Sequence, residues 1–227
     1  MLQLSIIVPA LNEAGCILEF LRQLQALRGQ GHEVILVDGG SGDDTVGLAR
    51  PLVDRLLAAP AGRALQMNIG AQAASGRVFW FLHADTQLPD RAAQRIIEAV
   101  QHAGSWGRFD VRLSGDHRLL RLVERMMNWR SRITGVATGD QGVFIRRELF
   151  ERVGGFANLP LMEDIDLSRR LKREQRPVCL RDTLIASSRR WEQQGLLRTI
   201  ALMWVLRLAY FLGVPAARLA KHYDQTV

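Results

Sequence analysis

Apolar runs of four or five residues alternate with helical spacing through the first half of the chain. Residues 5–9 read Ser-Ile-Ile-Val-Pro, 34–37 Val-Ile-Leu-Val and 78–82 Val-Phe-Trp-Phe-Leu. A strand with one wet face alternates apolar and polar positions. These runs do not, so they are expected in a parallel sheet covered on both faces. Between the first two, Ile17, Phe20, Leu21, Leu24 and Leu27 recur at helical spacing, and Gly29 and Gly31 stop that helix. A short helix is expected from 43 to about 50, a brief strand at 56–59, and a helix at 63–74 closed by Ser75-Gly76. After Pro89 a further helix runs from about 90 to 101.

The second half has a different rhythm. Residues 108–114 alternate as a half-exposed strand would, and 117–133 form a long amphipathic helix. A strand at 142–146 leads to a helix at 148–153, ended by Gly154-Gly155, and 163–174 is helical. Residues 177–180 are extended. A strongly apolar helix opens on Leu196 and closes on Leu212, and a short helix follows Pro215. The expected fold is α/β: one domain, with a nucleotide-binding half over 1–105 and an acceptor half over 106–227.

Three of the apolar runs end in polar groups: Asn12-Glu13, Asp38 and Asp85. Open α/β sheets bind ligands outside the carboxyl ends of their strands. A carboxylate there can hold a divalent cation against nucleotide phosphates.

Composition narrows the partners. The chain has 227 residues, 48% apolar, with 30 Lys+Arg against 23 Asp+Glu and a formal net charge of +7. That excess favours anionic partners. The basic residues are nearly all scattered arginines without a lysine-rich tract, so nucleic acid is not expected as a partner. The two cysteines, Cys16 and Cys179, have no metal-ligand spacing and are read as reduced buried thiols. The first residues run straight into a strand, without the charged start and cleavage site of a secretory leader. The expected location is cytoplasmic, with peripheral contact at the inner face of the membrane. The 196–212 segment carries Arg198 and Arg207 among its apolar residues. It reads as core, as a homodimer face, or as an interfacial helix resting on lipid.

In order along the chain stand SIIVPALNE at 5–13, VILVDGGSGDDT at 34–45, RALQMNIGA at 63–71, FLHADT at 81–86, GDQGVFIRRELFERVGGF at 139–156, LMEDIDLSRRL at 161–171 and SSRRWE at 187–192. That order resembles the family 2 glycosyltransferases, inverting enzymes of the A fold, over nearly the whole chain. The HADT and SSRRWE variants resemble a small bacterial subgroup associated with arsenosugar-type biosynthetic clusters.

The resemblance implies a nucleoside-diphosphate sugar donor, most readily a UDP-sugar, an acceptor hydroxyl, and Mn²⁺ or Mg²⁺. Pro9, Ala10, Leu11, Asn12 and Glu13 would frame the nucleobase and ribose, although turn and cap chemistry also explains Pro9 and Asn12. Asp38 would accept from a base N–H, or else form an Asx turn into Gly39-Gly40. Arg63 can meet the diphosphate with its planar fork, and Gln66 and Asn68 would hydrogen-bond nearby. Asp85 matches the last carboxylate of the family's DxD motif and is the expected metal ligand. His83 departs from that motif at its first position. With Ala84 it is placed on the donor side, as a structural or sugar-contacting group.

Asp164 matches the base that takes the proton from the acceptor hydroxyl, with Glu163 orienting it and Asp166 a surface acid. Gly139, Asp140, Gln141 and Trp191 are assigned to the sugar and acceptor side. Arg190 would stabilise the departing diphosphate. Ser187 stands where polymerising relatives carry Gln, which implies a single transfer. A nucleotidyltransferase would need a Gly-rich, basic loop after the first strand, and residues 9–13 offer none. A non-catalytic membrane-bound scaffold would have no need of acids at 38, 85 and 164.

Overall fold

The computed structural model describes residues 2–188 and 195–226. The strands are β1 (Leu4–Ala10), β2 (Glu33–Asp38), β3 (Arg55–Ala58), β4 (Val78–Phe81), β5 (Trp106–Leu113), β6 (Phe144–Arg146) and β7 (Val178–Ala186). The helices are α1 (Ile17–Gly29), α2 (Thr45–Ala49), α3 (Arg63–Ala73), α4 (Ala92–His102), α5 (Arg118–Thr134), α6 (Arg147–Arg152), α7 (Glu163–Glu174), α8 (Leu196–Phe211) and α9 (Ala216–Thr226).

One seven-stranded sheet runs in the order β3-β2-β1-β4-β6-β5-β7. Neighbours pair in parallel except where β6 runs antiparallel to both β4 and β5. The expected mostly parallel, helix-covered sheet is therefore what the chain forms. Its two faces are separate cores. Leu4, Ile6, Val8, Leu36 and Trp80 pack with Phe20 of α1 and Ile96 of α4. Ile7, Ile35, Val37, Phe79 and Phe81 pack with Met67 of α3 and Leu171 of α7 on the other. Adjacent residues of β1 thus feed opposite cores, which is why its sequence carries no alternation. Each fully buried side chain of this kind contributes about 1.5–3 kcal/mol.

The second half departs from its sequence pattern. β5 begins at Trp106 and is buried almost throughout, not half-exposed as its alternation suggested. Its polar position Arg108 is fully enclosed, paired with Asp110 and donating to the Asn128 carbonyl at 3.1 Å. Helix α5 lies against β5 and covers what a lone strand would expose. β7 extends to Ala186, well past the expected 177–180, because pairing with β5 continues through a register shift at Phe109/Asp110. The two thiols are free, as expected, but half-buried rather than buried.

Candidate functional site

The carboxyl ends of β1 and β2 lie in register, Ala10 opposite Asp38. The loops beyond them are laced together. Asn12, at φ 56°, accepts from Gly42 N–H at 2.8 Å and gives its own N–H to Ser41 Oγ at 2.9 Å. Glu13 N–H donates to Thr45 Oγ1, and Ala14 N–H to Asp43. Asp43 also accepts from Thr45 N–H, the helix-start role its position suggested. Asp38 accepts from the N–H groups of Gly40 and Ser41 and from Ser41 Oγ. Gly40 takes φ 92°, which closes this Asx turn without Cβ strain. The turn alternative therefore holds for Asp38 in geometry, and only the carboxylate's remaining lone pairs are open to a ligand.

Several residues assigned to ligands are instead spent on the fold. Gln66 is buried, and its amide donates to the carbonyls of Ala10 at 2.9 Å and Val37 at 2.8 Å. It ties α3 to the tips of β1 and β2. Asn68 grips the Phe156 backbone with both polar atoms, at 2.8 and 2.9 Å. Gln141 is fully buried and closes a capping box with Thr138 around a 3₁₀ turn at Gly139–Gln141. In sequence these three looked like site residues because they flank site residues. Only the fold shows that their amides point at backbone.

The turn after β4 divides its side chains. His83 enters a cleft lined by Pro9, Arg63, Gly139, Glu163 and Asp164. Asp85 lies on a second cavity with Cys16, Glu19 and Ser187. Asp164, on the first turn of α7, is half-exposed in the His83 cleft. Its Oδ2 accepts from Gly139 N–H at 2.9 Å and its Oδ1 from Ile165 N–H at 2.7 Å. Gly139 leaves room for the imidazole: an added Cβ would lie 2.6 Å from His83 Nε2 and would displace that ring. Met162, at φ 68°, starts the helix in a left-handed conformation that non-glycine residues seldom adopt. No sequence signal pointed to it. It sets the angle at which Glu163 and Asp164 enter the cleft.

Burial, followed by the charge of Arg63, pushes the His83 imidazole below its ordinary range, against the pull of Asp140, Asp85 and Asp164. Glu163 is buried, 3.5 Å from Arg63 Nη1. Burial, with the charge of Asp164, holds its carboxyl above the ordinary 4.5, and Arg63 only partly offsets this. A raised carboxyl contributes stability that is complete below its unfolded-state value and is lost as pH climbs through the folded one. Glu163→Gln is therefore expected to melt above the parent at about pH 8, with the gap closing toward about pH 4. Equal melting temperatures at the higher pH would mean that the Arg63 pair repays the burial.

Asp166 is half-exposed and paired with Arg170 at 2.7 Å, the surface acid it was expected to be. Arg190 and Trp191 lie outside the described residues. Sequence reasoning missed Arg130 of α5 and Arg207 of α8. Burial, then the charge of Arg207, brings Arg130 down to about 10, while Asp164 pulls the other way. Neither arginine stood out among 30 basic residues, because only packing brings the charges of Arg207 and Asp164 to bear on Arg130.

The family implies a divalent cation, and the donor set bears on this directly. Among the described residues, no three His, Cys, Asp or Glu side chains converge on one point. Asp85 shares its cavity with Glu19, so the described residues offer at most a pair of carboxylates there. That fits a cation completed by substrate phosphates and does not fit an all-protein cage. His83 packs toward Gly139 and Asp164 in the other cleft.

Residues 5–154 match the family model for glycosyl transferase family 2, and the chain belongs to that family. It is 29% identical over 161 residues to an undecaprenyl-phosphate 4-deoxy-4-formamido-L-arabinose transferase of Pseudomonas aeruginosa, covering 63% of this chain and 45% of that protein. The chain thus spans a little under half the length of that relative. Among solved structures it is similar to S. aureus TarS 1–349, with TM-score 0.67 and 19% identity over 88% of this chain and 64% of that one. It is also similar to a Pyrobaculum calidifontis mannosyltransferase in complex with GDP-Man and Mn²⁺, with TM-score 0.63 and 21% identity over 81% and 56%. At these identities the structures establish a shared glycosyltransferase A fold.

Proposed function

We propose that the protein transfers one sugar, with inversion, from a nucleoside-diphosphate sugar to an acceptor hydroxyl, and that the donor is a UDP-sugar. The observation that carries this reading is the Asp164 carboxylate. It is fixed by two backbone N–H groups, lies in a cleft at the carboxyl end of the sheet, and is half-open to a ligand. Each oxygen keeps lone pairs free for a proton. In the step, the acceptor O–H gives its proton to Asp164 as its oxygen bonds to the anomeric carbon. The bond from that carbon to the diphosphate oxygen breaks, and the diphosphate leaves with the electron pair. An inverting displacement needs one base, on the face opposite the leaving group.

Arg63 lines the same cleft and is 43% exposed, so its guanidinium is available to the diphosphate. Asp85 would hold Mn²⁺ or Mg²⁺ together with phosphate oxygens. When bound, such a cation takes up charge developing on the leaving group. Solved relatives in complex with UDP-GlcNAc and with GDP-Man and Mn²⁺ support the donor class. The subgroup resemblance carried by HADT and SSRRWE leaves the sugar itself open to test.

The test is a thermal-shift series with UDP, GDP, CDP and dTDP, each with and without Mn²⁺ or Mg²⁺. A ligand that binds only the native state raises the melting temperature. The expected result is a metal-dependent rise largest with UDP. A larger rise with another diphosphate would replace the UDP assignment, and none with any of the four would overturn the donor reading.

A further inference from the structure

Arg130 and Arg207 have charge to spare. The Nε and Nη2 of Arg130 and the Nε of Arg207 are buried without a hydrogen-bond partner among the described residues. Arg130 Nη1 reaches only the Val136 carbonyl, at 3.5 Å. Two guanidinium groups close enough to repel one another, with buried donors unsatisfied, cost stability unless an anion joins them. Asp164 is the carboxylate that acts on Arg130, and its two oxygens are already engaged by backbone N–H groups.

Each arginine borders an apolar stripe that faces solvent. On α5, Leu122, Met126, Trp129 and Ile133 are exposed at spacings of four, three and four, and Trp129 is 67% exposed. On α8, Trp204, Val205, Leu208, Phe211 and Leu212 are exposed, with Trp204 at 58%. Arg130 follows Trp129 directly. Arg207 lies three residues after Trp204 and four before Phe211. Helix α8 is anchored by Leu206, which packs with Val136, Met162 and Ile165 beside the start of α7. Arg169 sits 5.3 Å over the Phe211 ring. Val136, whose carbonyl Arg130 reaches, packs with Leu206, so the end of α5 and the middle of α8 come together beside Met162 and Ile165, which flank Glu163 and Asp164 in the chain. Patches of this kind mark interaction surfaces. Among the described residues, no helix is long and apolar enough to cross a membrane.

We propose that Arg130 and Arg207 seat the anionic group of the acceptor, and that this acceptor is an amphiphile taken from an anionic lipid surface, its hydrocarbon chain lying on the stripes of α5 and α8. The proposal rests on the transferase reading of the Asp164 cleft. The charge arrangement selects lipid over another protein. An apolar protein face would cover the stripes and leave the paired guanidinium groups unmatched, whereas an anionic headgroup with its chain satisfies both. The chain's net charge of +7 acts in the same direction.

The test is co-sedimentation of the full chain with phosphatidylcholine vesicles, with and without phosphatidylglycerol, alongside thermal shifts with inorganic phosphate. The parent is expected to sediment with the anionic vesicles about tenfold or more better than with neutral ones. Trp204→Glu with Leu208→Glu changes only exposed positions, so it should keep the parent's melting temperature and lose sedimentation. Arg130→Gln with Arg207→Gln should lose both the preference for anionic vesicles and the phosphate shift.

A phosphate shift that depends on both arginines, without vesicle binding, would overturn the lipid source in favour of a soluble phosphorylated acceptor. Vesicle binding unchanged in the Trp204/Leu208 variant would overturn the docking surface. So would a parent dimer that this variant dissociates, with no vesicle binding in either. Failure of every nucleoside diphosphate to bind would sink the transferase reading separately, because the vesicle results do not depend on donor.

Discussion

Asp164→Asn is expected to lower kcat by about 10²–10⁴-fold, the usual contribution of a general base, while leaving nucleoside-diphosphate binding in place. The substitution keeps the shape and removes the proton acceptor. It also has a structural consequence that can be read in advance. Gly139 and Ile165 each donate an N–H to one oxygen of the carboxylate. An asparagine has only one oxygen, so one of these donors loses its acceptor, which costs about 1–3 kcal/mol. A modest fall in melting temperature should therefore accompany the loss of turnover. Single-turnover kinetics with saturating donor separates the two effects. A variant that melts slightly lower, binds donor normally and turns over at the parental rate would remove Asp164 from the base role.

Asp85→Ala is expected to abolish the metal-dependent part of the nucleoside-diphosphate thermal shift and leave any metal-independent part. Without three converging side-chain ligands among the described residues, a cation held at Asp85 depends largely on the substrate phosphates, and Glu19 on the same cavity could add at most one further carboxylate. Losing the Asp85 carboxylate should weaken metal-linked binding by at least about tenfold, as ligand-shell losses commonly do. The readout is the difference in shift with and without Mn²⁺, measured in parent and variant. An unchanged difference would take Asp85 out of the metal site, and the cavity it shares with Cys16 and Glu19 would need another explanation.

Asp164 is placed by a turn that the sequence did not announce. Met162 enters α7 at a positive φ, and Gly139 reaches Asp164 across 25 residues of chain. Asp85 is placed by local chain direction alone, four residues past the end of a buried strand.

The same division holds across the molecule. The sequence by itself determined the parallel half of the sheet. Uninterrupted apolar runs at 34–37 and 78–82 can be satisfied only when both faces are covered, and the polar residues that end them must then come out at one edge. It also determined the family, through the order of its motifs. Tertiary structure decided what local patterning could not encode. β5 looked half-exposed because Arg108, Asp110 and Arg112 alternate with Phe109, Val111 and Leu113, yet Asp110 neutralises the Arg108 charge and the Asn128 carbonyl of α5 accepts one of its N–H groups, which together allow its burial. Gln66, Asn68 and Gln141 looked like ligand contacts, but a primary amide donates to a backbone carbonyl or accepts from a backbone N–H as readily as it binds a substrate, and only packing chooses. Arg130 and Arg207 lie 77 positions apart and share no motif. They meet because Leu206 docks α8 against the start of α7, and burial there leaves their donors without partners.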